Sequence, residues 1–265
     1  MRRGQNSAPL AHNPVPLAQI AAVMCNYARP NNARTCVRQL QKLGIEEIIV
    51  WNNKADPVPE ATHNISYPVN IGPLGKYLAG LGTKKSYILI VDDDCLILEP
   101  GLAALRRWVR RYPLVGQNGA IFYPPFDYYG KKFHYRSDWI KTPRRVDMVQ
   151  PNMGMMLKAD LYRRISLHWA WKSRSLFRHL PGLFSTDLEA NCAVWELSGE
   201  YPVVVPANGP GFCRLPDEAP EKALSAQEGI KEAKTKVMQW LLARGSRPLR
   251  SGKVHLDKNR GTGYY

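Results

Sequence analysis

The chain alternates between short apolar runs and amphipathic stretches. Residues 20–24 form an apolar run that predicts a strand, and a polar loop over 25–32 follows it. Val37, Leu40 and Leu43 then fall on one face of a helix that Gly44 ends. The next run, 45–51, holds the β-branched Ile48-Ile49-Val50 and stops at Asn52-Asn53. A third strand is predicted over 65–69, and a helix over 74–81. Residues 87–91 are wholly apolar and stop at three aspartates, as a buried parallel strand does at its carboxyl end. After Pro100 a helix turns Leu102, Leu105, Trp108 and Val109 inward and Arg106, Arg107, Arg110 and Arg111 outward. The second half offers strands at 121–123, 147–149 and 201–205 and helices at 158–164 and 187–198, with no internal repeat. Strands alternating with helices predict an α/β fold, and the first strand-helix-strand unit resembles half of a doubly wound nucleotide-binding fold.

A hydrophobic content of 45% is enough for a packed core, and 265 residues suit one domain with appendages. Residues 1–16 are polar and proline-containing and read as a flexible tail, leaving 17–265 as the domain. The apolar stretch at 8–22 is broken by His12, Asn13, Pro14 and Pro16, so it fits neither a secretory leader nor a membrane span, and a cytoplasmic protein is expected. Cys25, Cys36, Cys95, Cys192 and Cys213 are scattered without a zinc-like pair, which predicts free, buried thiols.

Asp92-Asp93-Asp94 is the feature that carries chemistry. A sugar diphosphate leaving group concentrates negative charge, and a hard divalent cation bridging its phosphates eases departure. Alternation along an extended chain would put Asp92 and Asp94 on one face and Asp93 elsewhere. A helix cap or a solvated turn would use the same residues. The polar ends of the preceding strands, aimed at the same sheet edge, favour a ligand site.

The motifs Cys25-Asn26-Tyr27-Ala28-Arg29-Pro30, Val50-Trp51-Asn52-Asn53 and Ile90-Val91-Asp92-Asp93-Asp94, in this order and spacing, resemble those of exostosin-like GT-A glycosyltransferases. The likeness covers residues 20–205 and is clearest in the first half. It implies a GT-A fold, a Rossmann-like mixed sheet flanked by helices, with a nucleotide-sugar-binding half at 17–120 and an acceptor-binding half with a basic tail at 121–265. It also implies a UDP-sugar donor and Mn²⁺ or Mg²⁺. Arg29 and Lys76 would then contact the donor, and Asn52 and Asn53 would lie near uracil and ribose. Asp92 would serve ribose and metal, Asp94 the metal, and Asp93 the sugar hydroxyls. Residues 148–157, with Pro151-Asn152-Met153-Gly154, resemble the family's acceptor-side strand and small-residue turn.

Phe184-Ser185-Thr186-Asp187-Leu188-Glu189-Ala190-Asn191 resembles the family's acidic segment opening a helix, with Thr186 where an acid is usual. Asp187 would lie below the sugar and stabilise positive charge at the anomeric carbon, although the same residues make a natural helix start. Retention is implied, the departing phosphate accepting the acceptor's proton. His255 would be the late histidine that many GT-A enzymes supply to the metal, and the polar segment 216–228, with Lys222, reads as a mobile lid.

Lysine plus arginine total 37 against 22 acids, a net charge of +15 that attracts polyanions. Basic clusters at 131–145 and 163–178 are interleaved with Tyr128, Tyr129, Phe133, Tyr135, Trp139, Trp169 and Trp171, and a third lies at 244–260. Cations beside stacking rings suit a nucleic-acid strand or a flipped base, so a hydroxymethylated pyrimidine in DNA is the leading acceptor. A transferase acting on a glycan, lipid-linked sugar or protein hydroxyl is the alternative. A nucleic-acid-binding module with a merely structural triplet is a third reading, and a nucleotidyltransferase a fourth.

Overall fold

The computed structural model describes residues 13–168, 186–216 and 218–249. In chain order the elements are β1 (Ile20–Asn26), α1 (Pro30–Lys42), β2 (Glu47–Asn53), β3 (His63–Tyr67), α2 (Gly75–Leu78), β4 (Tyr87–Ile90), β5 (Cys95–Ile97) and α3 (Glu99–Trp108). They continue with β6 (Leu114–Gly116), β7 (Asn118–Phe122), β8 (Lys132–Arg136), β9 (Arg144–Arg145), β10 (Met148–Val149), β11 (Met155–Lys158) and α4 (Ala159–Ser166). The last are α5 (Thr186–Ser198), β12 (Val203–Val204), β13 (Phe212–Arg214) and α6 (Ile230–Ala243).

An 8-stranded sheet runs β3-β2-β1-β4-β11-β6-β12-β9. Strands β1 to β4 are mutually parallel, and β11 enters antiparallel between β4 and β6. The expected α/β fold with a mixed sheet flanked by helices is therefore the one found. Alternation along β1 shows how it is packed: Ile20, Ala22 and Met24 join the layer of α1 and α3, while Ala21 and Val23 join that of α2, α4 and α5. A third apolar cluster ties β7 and β10 to α5 and α6. A cavity of ≈ 60 Å³ bounded by Phe122, Leu188, Met238 and Leu241 lies within that packing and is largely apolar.

The helix predicted to end at Gly44 does so, with Gly44 at φ +83°, where an L side chain would be strained. The third strand begins and ends two residues earlier than expected, and its end falls just before Pro68, which has no N–H to extend the ladder. The expected tail also ends before Pro16: Val15 is fully buried, and its backbone bonds Arg106 in both directions, which draws Arg106 away from solvent. All five thiols are free, but Cys213 is exposed rather than buried and Cys25 only half-buried. Among the described residues no helix is long and apolar enough to cross a membrane.

Candidate active site

The order β3-β2-β1-β4 means that the chain leaves the edge after β3 and returns on the other side of β1. Loops diverge at such a switch point and leave a crevice beyond the carboxyl ends of β1 and β4. β4 stops at Ile90, and Asp92-Asp93-Asp94 form the turn that leads into β5. A two-stranded ribbon of β5 and β13 clamps that turn, with Leu215 N–H donating to Asp94 O at 3.0 Å.

The strand-like alternation expected of the triplet does not occur, because the chain is no longer extended there. Arg29 bridges Asp93 at 3.2 Å and Asp94 at 3.7 Å, whereas Asp92 turns to Lys76. Burial pushes the Asp93 carboxyl up to about 7, Arg29 opposing the rise and the neighbouring aspartates adding to it. Burial and the charge of Asp92 push Asp94 up to about 6.

Lys76 is the centre of the site. Its side chain is 3% exposed, with Nζ 2.5 Å from Asp92 Oδ1 and 3.9 Å from Asp187 Oδ1. Burial disfavours the ammonium, but Asp92 and Asp187 together hold it above the ordinary lysine value. The short α2 that carries it is fixed from α4. Tyr162 Oη accepts from Gly80 N–H at 2.9 Å and donates to Lys76 O at 2.8 Å, and Ser166 Oγ donates to Tyr77 O at 2.6 Å. Asp187 enters from the first turn of α5, where burial raises its carboxyl, Lys76 opposes that and Asp92 adds to it. Lys76 thus joins carboxylates that lie 95 positions apart in sequence (187 − 92).

Glu218 closes the other end of the crevice. Its carboxylate accepts from Asn31 N–H at 3.3 Å and Asn32 N–H at 2.8 Å, at the N-terminus of α1, where the helix dipole favours an anion. Arg29 Nε donates to Glu218 O at 2.9 Å, so one guanidinium touches both the aspartate turn and the expected lid segment. Lys222, in the same segment, is exposed.

Asn52 and Asn53 are the last two residues of β2. Both are buried, Asn52 bonding Asn26 and Asn64 and Asn53 accepting from Trp51 Nε1 and Ile71 N–H while donating to Gly72 O. Their side chains lock the loops that frame the crevice. Asn191 is likewise committed, pairing with both backbone groups of Val149 as a surrogate strand. The register Met155↔Ile90 brings the Pro151–Met153 turn beside the aspartate turn, with Gly154 at φ +89°. His255, Trp169 and Trp171, the basic cluster at 169–178 and the last part of that at 244–260 lie outside the described residues.

Among the described residues no three His, Cys, Asp or Glu side chains converge as a metal-holding group. Asp94 Oδ1 is nonetheless a buried carboxylate oxygen without a hydrogen-bond partner, on a side chain 43% exposed. A cation of the Mg²⁺ type takes one or two carboxylates plus substrate phosphates, so Asp94 fits such an ion when a diphosphate supplies the rest.

Glu218 and Lys234 carried no sequence signal. Glu218 sits in a proline-flanked stretch without periodicity, and Lys234 reads as one more solvated lysine on α6. Lys234 lies near Asp187, and its ammonium is 4.6 Å from the centre of the Tyr128 ring.

Fold and site together define a class: an α/β protein with a mixed sheet flanked by helices and an acidic crevice at its switch point. No family model matches the chain, and no curated protein does. Among solved structures, residues 1–349 of S. aureus TarS in complex with UDP-GlcNAc share the fold, with a TM-score of 0.54 and 11% identity. That match covers 84% of this chain and 65% of the TarS chain. TarS 1–349 in complex with UDP matches with a TM-score of 0.50 at 11% identity, over 73% of this chain and 59% of the other. At this identity the likeness establishes the fold.

Proposed function

We propose that the chain is a metal-dependent glycosyltransferase that moves a sugar from a UDP-sugar to a hydroxyl acceptor, first among them a hydroxymethylated pyrimidine in DNA. The observation that carries the reading is the Lys76-centred crevice, in which Asp92 and Asp187 meet at the switch point with Asp93 and Asp94 alongside. The UDP and UDP-GlcNAc bound by TarS, whose fold this chain shares, support the donor class.

In this reading residues 17–120 form the donor half and 121–265 the acceptor half. Asp94 and Asp92 would hold Mn²⁺ or Mg²⁺, which would offset the charge of the departing diphosphate. Arg29 and Lys76 flank the phosphates, Asp93 receives the sugar hydroxyls, and Asp187 stabilises positive charge at the anomeric carbon. The bond from that carbon to the β-phosphate oxygen breaks with its electron pair on oxygen. The acceptor oxygen bonds the carbon on the same face, and its proton passes to the departing phosphate, so configuration is retained.

The test is transfer of radiolabelled sugar from a UDP-sugar panel, with Mn²⁺, to hydroxymethylated DNA and to unmodified DNA. Label is expected only in the former and is lost in Asp94→Ala. No incorporation with any donor would sink the DNA acceptor, and metal-independent transfer would sink the role of Asp94.

A further inference from the structure

We propose that Lys132, Lys231 and Lys234, gathered around Tyr128 and Tyr129, form an acceptor-side phosphate subsite that holds the backbone of a single nucleic-acid strand. The proposal rests on the DNA-acceptor reading above. Two chain segments, 128–132 and the start of α6, bring these groups together. Lys234 Nζ is 4.6 Å from the Tyr128 ring centre and 5.9 Å from that of Tyr129. Lys132 Nζ lies 5.0 and 5.3 Å from the same two rings, and Lys231 Nζ 5.8 Å from Tyr129.

The cluster has more positive charge than its surroundings neutralise. Lys132 donates to Tyr128 O at 3.0 Å, and none of the three lysines makes an ion pair with a described residue. Asp127, the nearby acid, already accepts from Thr235 Oγ1 at 2.6 Å and Tyr129 N–H at 2.9 Å. Burial lowers the proton affinity of Lys132 and Lys234, and the charge of Lys234 depresses Lys132 further. A bound anion would oppose both shifts by favouring the charged lysines.

Location gives the cluster its meaning. Lys234 and Tyr128 both feel the charge of Asp187, so the Lys234 end of the cluster faces toward the carboxylate assigned to the anomeric centre. Tyr129 is more than a third exposed and offers aromatic surface to an unstacked base, which a strand presents and a duplex does not.

The experiment is fluorescence anisotropy of a labelled single-stranded oligonucleotide on the full chain, titrated over a series of salt concentrations. Each phosphate neutralised contributes a slope of about 0.7 in log affinity against log salt, so the variant with all three lysines changed to Gln should lose about 2. Lys231→Gln alone, at an exposed position, should lose about 0.7 and covers the case in which the triple variant does not fold. Arg107→Gln/Arg110→Gln/Arg111→Gln, which removes equal charge from an exposed stretch at and beyond the end of α3, should lose nothing.

No oligonucleotide binding, an unchanged slope in the lysine variants, or an equal loss in the arginine variant overturns the subsite. Displacement of the oligonucleotide by inorganic phosphate at matched total phosphate also overturns it, in favour of a site for a free anion. Thermal stabilisation by UDP, measured alongside, separates the readings. Strand binding without sugar transfer leaves the subsite standing and removes the transferase, whereas transfer without a lysine-dependent slope does the reverse.

Discussion

Replacing Lys76 by Met tests whether one ammonium holds the crevice together. The substitution keeps an unbranched side chain in the 3%-exposed position but leaves Asp92 and Asp187 without their shared counter-charge. Removing one partner of a buried pair costs about 3–5 kcal/mol. Both carboxylates are about a quarter exposed, and solvent screening places the expected loss at the lower end, roughly 3 kcal/mol. For a chain of this size that is a fall in Tm of roughly 6–12 °C. Urea and thermal unfolding at pH 7.5 without divalent cation would measure it. Burial already raises the Asp187 carboxyl and Lys76 opposes that rise, so without Lys76 the deficit should shrink between pH 7.5 and pH 5. Lys76→Met/Asp92→Asn should also lose less than the sum of the single changes. A loss below about 1 kcal/mol, or one of equal size at both pH values, would refute the reasoning.

Two further outcomes follow from the same neighbourhood. Because Asp93 is pushed up to about 7 and Asp94 to about 6, the folded protein binds more protons than the unfolded chain from about pH 4 to 7. Unliganded stability should therefore fall as pH rises through that window, while stabilisation by Mn²⁺ with UDP grows; a flat melting temperature between pH 5 and 7 would contradict both shifts. Asn53→Ala removes three hydrogen bonds and orphans the buried Trp51 Nε1 and Ile71 N–H, an expected loss of about 2–4 kcal/mol in urea unfolding. UDP-dependent stabilisation in that variant reports whether the loop, rather than the side chain, matters to the donor.

The parts of this molecule legible in the sequence are those written as local periodicity. The apolar run 87–91 and the helix closed by Gly44 needed no distant residue to declare themselves, and the acids after β4 marked the carboxyl edge of the sheet. Orientation at the edge was another matter. Alternation predicts side-chain direction only while the backbone stays extended, and the turn after Ile90 regrouped Asp93 with Asp94 around Arg29. Asn52 and Asn53 look alike as an exposed turn or a ligand contact until β3 and the Ile71-Gly72 loop are folded against them. The β5–β13 ribbon joins strands of only three residues each, too short for any period to show. Nor could the Glu218 contact be read, since it links positions 186 to 189 apart through a stretch with no repeating pattern.

That last contact bears on the order in which the protein is made. The start of α1 emerges early in synthesis, but the carboxylate that satisfies its first N–H groups, and the backbone carbonyl that fixes Arg29, arrive only with residue 218. The four parallel strands can pair once residue 90 has appeared, whereas the wall of the crevice waits for most of the remaining chain. Contacts of such long sequence separation form late because their loop-closure entropy must be met first. Until then three adjacent aspartates stand beside an unanchored arginine, and the growing chain holds a sheet with no finished pocket.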